Sequence, residues 1–513
     1  KTTDKTTILE YCRSHGIAGI ETPCGGKGTC GKCKVTVAKP YCKDVLACQT
    51  KICDGMEIIV GRKESTGTKE DSMVVLTNGE NVSEKFNEHV NRNVEDTLAA
   101  CDIGTTTVVC YLIDKETGQI ISTRSGANPQ RSFGADVLSR IDAAARADDN
   151  DKANGGLQMM QTQIVSLLNG WISEMLTECG RTKVSRFSVA GNTVMCHLLM
   201  GISPEKLGKA PFMPDEYFGR EFNPLDIGLE NCQTMIIFPA VSGFVGGDIT
   251  AGMMETVNCN ELTLYLDIGT NGEMALGKGD RYVCCATAAG PAFEGAQIEL
   301  GMPAAKGAVD KVWLEGRRIK YSVIGNDRPV GLCGSGLIDA LAVLLKAGII
   351  DENGTILSGQ ELPILFRSYV FEVEAEETAQ STELSLAVHI APGVYITQED
   401  IRKLQLAKGA IAAGIEVLFK EYGCMPCNID VLTFAGGFGN YIDKASAAAI
   451  GLFPQELLDK AKEVGNAAGN GAVSAALSQE AWERALEIGG NMRYIELASY
   501  PHFNEMYVEH MNF

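Results

Sequence analysis

The spacing of apolar positions changes along this chain, and each change marks an element. Ile8, Leu9 and Cys12 follow Thr7 and overlap Glu10, a capping-box pair, and predict a short amphipathic helix that Gly16 stops. "KVTVA" at 34–38 alternates apolar and polar residues with the period of a half-buried strand, and "EIIV" at 57–60 reads as a closing strand. Periodicity is then lost over 61–95, where "GRKESTGTKEDS" and "NGENVSEKFNEHVNRN" have the composition of a linker.

A long region of buried-strand and helix patterns begins near Thr97, and it contains an echo. "LAACDIGTTTVVCYLIDKETGQIIS" starts at Leu98 and "LYLDIGTNGEMALGKGDRYVC" at Leu264. Each reads as a strand, a D-I-G-T turn, a second strand, a polar turn and a third strand, so two related subdomains are expected. Further on, "GLIDALAVLLKAG" sets Leu337, Leu341, Leu344 and Leu345 on one helical face, with Gly348 as a stop. A second helix opens on a Thr397 and Asp400 cap and carries the stripe Ile401, Leu404, Ile411, Ile415 and Leu418. "VLTFAGGFGNYID" is a buried strand running into a glycine-rich turn. The alternation predicts a multi-domain α/β protein: a small module at 1–60, a linker at 61–95, a first large subdomain at 96–255 and a second at 256–513.

Composition changes this picture in two places. The net charge of −20 disfavours nucleic acid as a partner, because an acidic surface repels phosphate. No run approaches the roughly 18–20 apolar residues of a membrane span, and no basic-then-apolar leader opens the sequence. The expectation is a cytoplasmic protein. Cysteine is the outlier: of 18, seven fall among the first 53 residues. Scattered thiols are mostly small buried apolar groups, whereas a cluster points to a metal or redox site.

In "CGGKGTCGKC", Cys24, Cys30 and Cys33 have the spacing C-x5-C-x2-C, and Cys48 follows in "LACQT". Four thiolates hold a [2Fe–2S] cluster, while zinc ribbons prefer two C-x2-C knuckles and only one is present. Iron–sulfur is favoured over zinc or a disulfide. Cys48 leads for the fourth ligand, with Cys42 and Cys53 as its rivals. The glycines around these thiols let the backbone wrap closely and turn amides toward bridging sulfide.

The D-I-G-T turns carry the second chemistry. Gly104 and Gly269 let the backbone approach phosphate oxygens. Thr105 and Thr106 in one copy, and Thr270 and Asn271 in the other, supply donors for an anion nest. Asp102 and Asp267 are expected to face each other across a cleft and to hold Mg²⁺, through waters that the ion keeps.

The front of the chain resembles the β-grasp [2Fe–2S] ferredoxin module, nearer the adrenodoxin-like spacing than the plant type. It departs from that pattern in the short stretch between Cys33 and Cys48. The two D-I-G-T turns resemble the phosphate motifs of the sugar kinase, Hsp70 and actin superfamily of ATPases, which implies two RNase H-like subdomains. "FAGGFGN" at 434–440 looks like that superfamily's adenosine motif, with Gly436, Gly437 and Gly439 against the nucleotide. "SGFVGGD" and "GNAAGNGA" resemble its two connecting segments. Asp248 then either positions the attacking water or caps a helix.

Together these features resemble the ATP-dependent reductive activators of corrinoid proteins. "NPQRSFGADVLSRI", "GPAFEGA", "GLCGSGLIDA" and "QLAKGAI" carry the resemblance across the rest of the chain. It implies one-electron reduction of an inactive Co(II) corrinoid, or cobalamin-binding, protein to Co(I) for a methyltransferase system. ATP, Mg²⁺ and a [2Fe–2S] cluster are the implied cofactors; an upstream low-potential electron donor and a homodimer are the other implied partners. Some relatives carry [4Fe–4S] cysteine motifs near the C-terminus. Here only the lone C-x2-C of Cys424 and Cys427 appears, read as structural. The rival readings are a small-molecule kinase, an activator of 2-hydroxyacyl-CoA dehydratases, and a redox-sensing ATP-binding docking module.

Overall fold

The computed structural model describes residues 6–14, 20, 22, 25–26, 28, 33–39, 43–53, 55–59, 97–145, 155–269, 271–374, 384–436 and 441–513. The proposed linker at 61–95, Gly16, Cys24, Cys30, Cys42, Thr270, Gly437 and Gly439 lie outside them. The chain divides into two compact units. One holds the N-terminal module, the region up to Glu255 and a returning segment, Ala468–Gly490; the other holds Thr256–Ala467 and Asn491–Phe513.

In the N-terminal module, helix α1 (Ile8–Ser14) starts at the expected capping box. The Thr7 amide donates to Glu10 Oε2 at 2.7 Å and the Glu10 amide donates back to Thr7 Oγ1 at 3.2 Å. Strand β1 (Lys34–Lys39) pairs antiparallel with β2 (Lys43–Leu46) and β3 (Glu57–Ile59). Ile8, Leu9, Cys12, Val35 and Val37 form its small core.

The first unit is built on a six-stranded sheet. β4 (Thr97–Ile103), β5 (Thr107–Asp114) and β6 (Ile120–Ala127) form an antiparallel meander. β7 (Val184–Gly191) and β9 (Cys232–Ile237) continue it in parallel beside β4, and β8 (Arg220–Phe222) closes the edge. Helix α2 is Val137–Ala145, and α3 (Gly156–Glu178) buries Met160, Ile164, Leu168, Ile172 and Met175 at every third or fourth position against the sheet. Helices α4 (Thr193–Met200) and α5 (Gly247–Thr256) follow the parallel strands.

The second unit repeats the plan. β10 (Thr263–Ile268), β11 (Gly272–Lys278) and β12 (Arg281–Thr287) form the meander. Two three-stranded sheets are inserted after it: β13 (Ala308–Glu315) with β14 (Arg318–Val323) and β15 (Gly331–Leu332), then β16 (Val370–Glu374) with β17 (Leu384–Ala391) and β18 (Val394–Thr397). Helix α6 is Gly334–Lys346 and α7 is Gln398–Tyr422. β19 (Val431–Ala435) and β20 (Ala461–Glu463) lie parallel beside β10, and β21 (Met492–Tyr494) flanks β12. Counting each meander as strands one to three, both sheets run 3-2-1-4-5. The internal echo is therefore a repeated sheet topology.

The expected helix faces are in place. The α7 stripe from Ile401 to Leu418 is buried, and Thr397 and Asp400 form the reciprocal capping box. In α6 Leu337, Leu341 and Leu344 are buried, while Leu345 sits only half-buried at the margin of the stripe. The glycine-rich second connecting segment packs as small residues allow. A β-carbon on Gly471 would lie 2.3 Å from the Ala251 carbonyl oxygen of α5, and Ser474 Oγ donates to Glu255 Oε2 at 2.7 Å.

Candidate functional site

The first D-I-G-T turn joins β4 to β5. Asp102, one residue from the strand end, is in register with Val109 of β5 and Ala190 of β7. The Gly104 amide donates to the Thr107 carbonyl at 2.9 Å, and a β-carbon on Gly104 would come within 2.8 Å of that oxygen. Only glycine fits there.

Every carbonyl of this turn is tied back from behind. Asn128 Nδ2 donates to Gly104 O at 2.8 Å, the Asn128 amide donates to Thr106 O at 2.9 Å, and Arg140 Nη2 donates to Thr105 O. With the acceptors held, the amides and hydroxyls of Thr105 and Thr106 are the groups left to face outward. Among the described residues they meet no protein acceptor. A turn whose carbonyls are held in this way suits an anion at its donors.

Arg140 itself is fully buried, and no carboxylate reaches it within ion-pair distance among the described residues. Burial pushes its guanidinium down to about 9, Arg131 adds to that effect, and Asp136 opposes it. Its Nε donates to Gly134 O at 3.0 Å and its Nη1 to Met195 Sδ at 3.0 Å. A buried positive charge beneath a turn of outward-facing donors favours an anion there.

Asp248 stands in the first turn of α5. Its carboxylate accepts from the amides of Ile249, of Gly246 and of Asp248 itself, donors at the start of the helix. Burial nevertheless pushes its pKa up to about 6 against those three bonds. Asp102 and Asp248 both act on the buried Cys196 thiol, whose pKa rises mainly through burial and further through both carboxylates. Both predicted acids thus lie within electrostatic reach of Cys196.

The second turn differs in detail. The Gly269 amide donates to Asn271 O at 2.9 Å, but a β-carbon on Gly269 would meet only Glu294 Oε1, at an ordinary 3.7 Å. Asn271 Nδ2 is engaged by Glu273 Oε1 at 3.3 Å. Asp267 is in register with Glu273 and with Ala435 of β19. Gly436, first of the adenosine-motif glycines, follows Ala435 in the left-handed region at φ +83° and crowds Asp267. Asp267, Glu273 and Glu294 are three carboxylates near one turn, and an incoming phosphate needs a cation to offset them. Among the described residues no three His, Cys, Asp or Glu side chains are gathered as a protein metal site. Carboxylate oxygens such as these suit Mg²⁺, which takes one or two of them and completes its shell with phosphate and water.

Of the cluster cysteines, Cys33 is buried and Cys48 half-buried, and their sulfurs lie 3.2 Å apart. A disulfide would need about 2.05 Å, so these are two converging thiols. The Ala47 amide donates to Cys33 O at 2.8 Å, which fastens one cysteine's neighbourhood to the other's. Cys53 is exposed. Two sulfurs brought together from distant positions fit the expected ligand chemistry. Cys424 and Cys427 are free thiols.

Asn128, Arg140 and Glu294 were not among the residues singled out from spacing. Their signal lay in two strings. The Asn-Pro cap and the Gly-x-Asp turn of "NPQRSFGADVLSRI" mark a built segment, and the lone carboxylate of "GPAFEGA" sits beside Gly269.

Two 3-2-1-4-5 sheets, each with an aspartate at the end of its first strand and a glycine turn after it, define an ASKHA-type protein, here carrying a small cysteine-bearing module in front. The family described as "RACo middle region" matches residues 98–258, and "C-terminal domain of RACo the ASKHA domain" matches residues 261–513. The corrinoid activation enzyme RamQ of Eubacterium limosum is 32% identical over 98% of this chain and 95% of its own. A reductase of the Co(II) methylated amine-specific corrinoid protein from Methanosarcina barkeri is 25% identical, over 80% of this chain and 75% of its own. A solved structure of a reductive activator for corrinoid, iron–sulfur protein superposes with a TM-score of 0.68 at 30% identity, covering 100% of this chain and 96% of that one. The chain belongs to the RACo family of reductive activators of corrinoid proteins. No helix among the described residues is long and apolar enough to cross a membrane.

Proposed function

We propose that this protein returns a corrinoid protein from Co(II) to Co(I) by one-electron transfer, driven by ATP. The observation that carries the reading is the coexistence in one chain of the Cys33 and Cys48 pair with the two aspartate-tipped glycine turns. Kinase chemistry has no use for the former, and a simple ferredoxin has none for the latter. The family's named activities support the same reaction.

When bound, a [2Fe–2S] cluster supplies a one-electron carrier and ATP supplies free energy, since each ~59 mV uphill costs about 1.4 kcal/mol. The chain's residues divide the remaining work. Cys24, Cys30, Cys33 and Cys48 hold the cluster. Gly104, Thr105 and Thr106 present donors to phosphate, with Arg140 as buried counter-charge. Gly269, Thr270 and Asn271 form the second phosphate turn. Asp102 at the first turn and Asp267 at the second would each offer a carboxylate to Mg²⁺ through its waters, and Gly436, Gly437 and Gly439 would take the nucleotide. Asp248, with its raised pKa, takes the proton of the attacking water. The electron comes from a low-potential donor upstream and leaves to the corrinoid cobalt, and the working form is a homodimer.

The deciding experiment mixes the protein with a Co(II) corrinoid protein and a reductant, with and without ATP. A Co(I) absorbance band that needs ATP is expected. ATP turnover without that band, under reduced cluster, overturns the proposal.

A further inference from the structure

The string "NPQRSFGADVLSRI" is more elaborate than a connection between β6 and α2 requires. Asn128 caps a one-turn helix by accepting from the Gln130 amide at 2.9 Å. Buried Gln130 reaches across to donate to Met160 O of α3 at 3.1 Å. Asp136 starts α2 by accepting from the Ser139 amide at 2.7 Å and from its hydroxyl at 2.9 Å. A β-carbon on Gly134 would meet the Ser139 β-carbon at 2.4 Å, so the segment is folded tightly on itself. It is a rigid clamp.

One side of that clamp holds all three carbonyls of the phosphate turn, through Asn128 and Arg140. Its other side holds the N-terminal module. Arg13 Nε donates to the Ser132 carbonyl at 2.8 Å, Arg13 Nη2 donates to the same oxygen, and Thr22 Oγ1 donates to it at 2.7 Å. Arg13 Nη2 also reaches Thr22 Oγ1 at 3.2 Å, and the guanidinium lies 5.0 Å from the centre of the Phe133 ring. Gly25, next in sequence to Cys24, sits so close that its β-carbon would be 3.2 Å from the Phe133 carbonyl oxygen. Donors from two separate parts of the module therefore converge on one backbone oxygen.

We infer that segment 128–140 couples the N-terminal module to the first turn: it is the docking surface for the module at Arg13, Thr22 and Gly25 and the back wall of the first phosphate turn, so nucleotide at the turn and seating of the module each favour the other. The inference rests on the reading of the turn as a nucleotide site. Coupling of this kind is reciprocal. Tightening of the turn by phosphate pulls on Asn128 and Arg140, and the clamp between them and Ser132 is too well packed to absorb the shift locally. Arg13 and Thr22 act as positioning residues through their contacts with Ser132 and Phe133.

The test is hydrogen–deuterium exchange on the full-length holoprotein, with and without Mg²⁺ and a non-hydrolysable ATP analogue. In the natural protein the analogue is expected to slow exchange at 104–107 and also at 8–28. Arg13→Ala should keep the visible absorption and the protection at 104–107 but lose the protection at 8–28. Its affinity for the analogue should fall by about fivefold or more. Protection at 104–107 with no change at 8–28 in the natural protein overturns the inference and leaves the nucleotide reading intact. No protection at 104–107 overturns both. If Arg13→Ala loses its visible absorption, Thr22→Val decides by the same comparison, because it removes one hydroxyl donor and no charge. Retained protection at 8–28 in that variant, with an unchanged affinity, counts against the inference.

Discussion

Gly436 and Asp267 share a corner of the second unit in which a β-carbon on the glycine would come within 2.4 Å of Asp267 Oδ1. The same glycine has φ +83°, a conformation that costs other residues about 1–2 kcal/mol. Gly436→Ala should therefore both strain the turn and displace the carboxylate. A displacement near 1 Å at a reacting centre costs on the order of 100-fold. The expected outcome is a comparable loss of ATP turnover with a stability loss of only about 1–2 kcal/mol by denaturant titration. Natural turnover in this variant would show that the position of Asp267 does not matter to the reaction.

The 3.2 Å approach of Cys33 and Cys48, with Cys53 exposed, sets the proposed fourth ligand against Cys53, while the other rival, Cys42, lies outside the described residues. Cys48→Ser should lose most of the visible absorption and bound iron of the purified protein. Cys53→Ser should keep both. Cys30→Ser, at a position fixed by spacing alone, should match Cys48→Ser. The reverse order for Cys48 and Cys53 would reassign the ligand.

Much of this was legible because it depends on short-range pattern. The capping boxes at Thr7 and Thr397 are three-residue signals, and the α7 stripe is a simple periodicity. The echo of Asp102 and Asp267 was legible because the same register recurs at two strand ends. What stayed hidden depends on contacts far apart in sequence. Nothing local marks Arg140 as buried, because its partners are the carbonyls of Thr105 and Gly134 and the sulfur of Met195. The inserted strands from β13 to β18 lie between two clear motifs. Their segments mix buried and exposed positions irregularly, so alternation is weak in them.

Arg140 offers a test of the first turn that separates charge from shape. If its buried cation offsets phosphate, Arg140→Met should weaken ATP binding by about tenfold while leaving adenosine binding nearly unchanged, as titration calorimetry would show. The variant also strands the carbonyls of Thr105 and Gly134, at about 1–3 kcal/mol for each buried acceptor left unpaired. A lower melting temperature is expected alongside. Equal weakening of ATP and adenosine would mean that Arg140 only holds the backbone.

The role proposed for Asp248 as base ties ATP turnover to pH. The folded-state pKa of Asp248, about 6, lies above the ordinary 3.8, so the folded protein holds this proton more tightly than the unfolded chain. The stability that protonation contributes is fully present below about pH 3.8 and is lost as the pH rises through 6. Asp248→Asn cannot ionise, so it should be more stable than the natural protein at pH 8 and lose that advantage near pH 4. Activity should move the other way. A base must be ionised to accept a proton, so ATP turnover should climb with pH to a half-maximum near 6. Cys196, whose thiol both Asp248 and Asp102 influence, stays a thiol throughout this range because burial raises its pKa far above it. Asp248→Asn should lower turnover by about 100-fold or more and abolish the acid limb. A variant that keeps the limb would leave Asp248 with helix capping as its whole role.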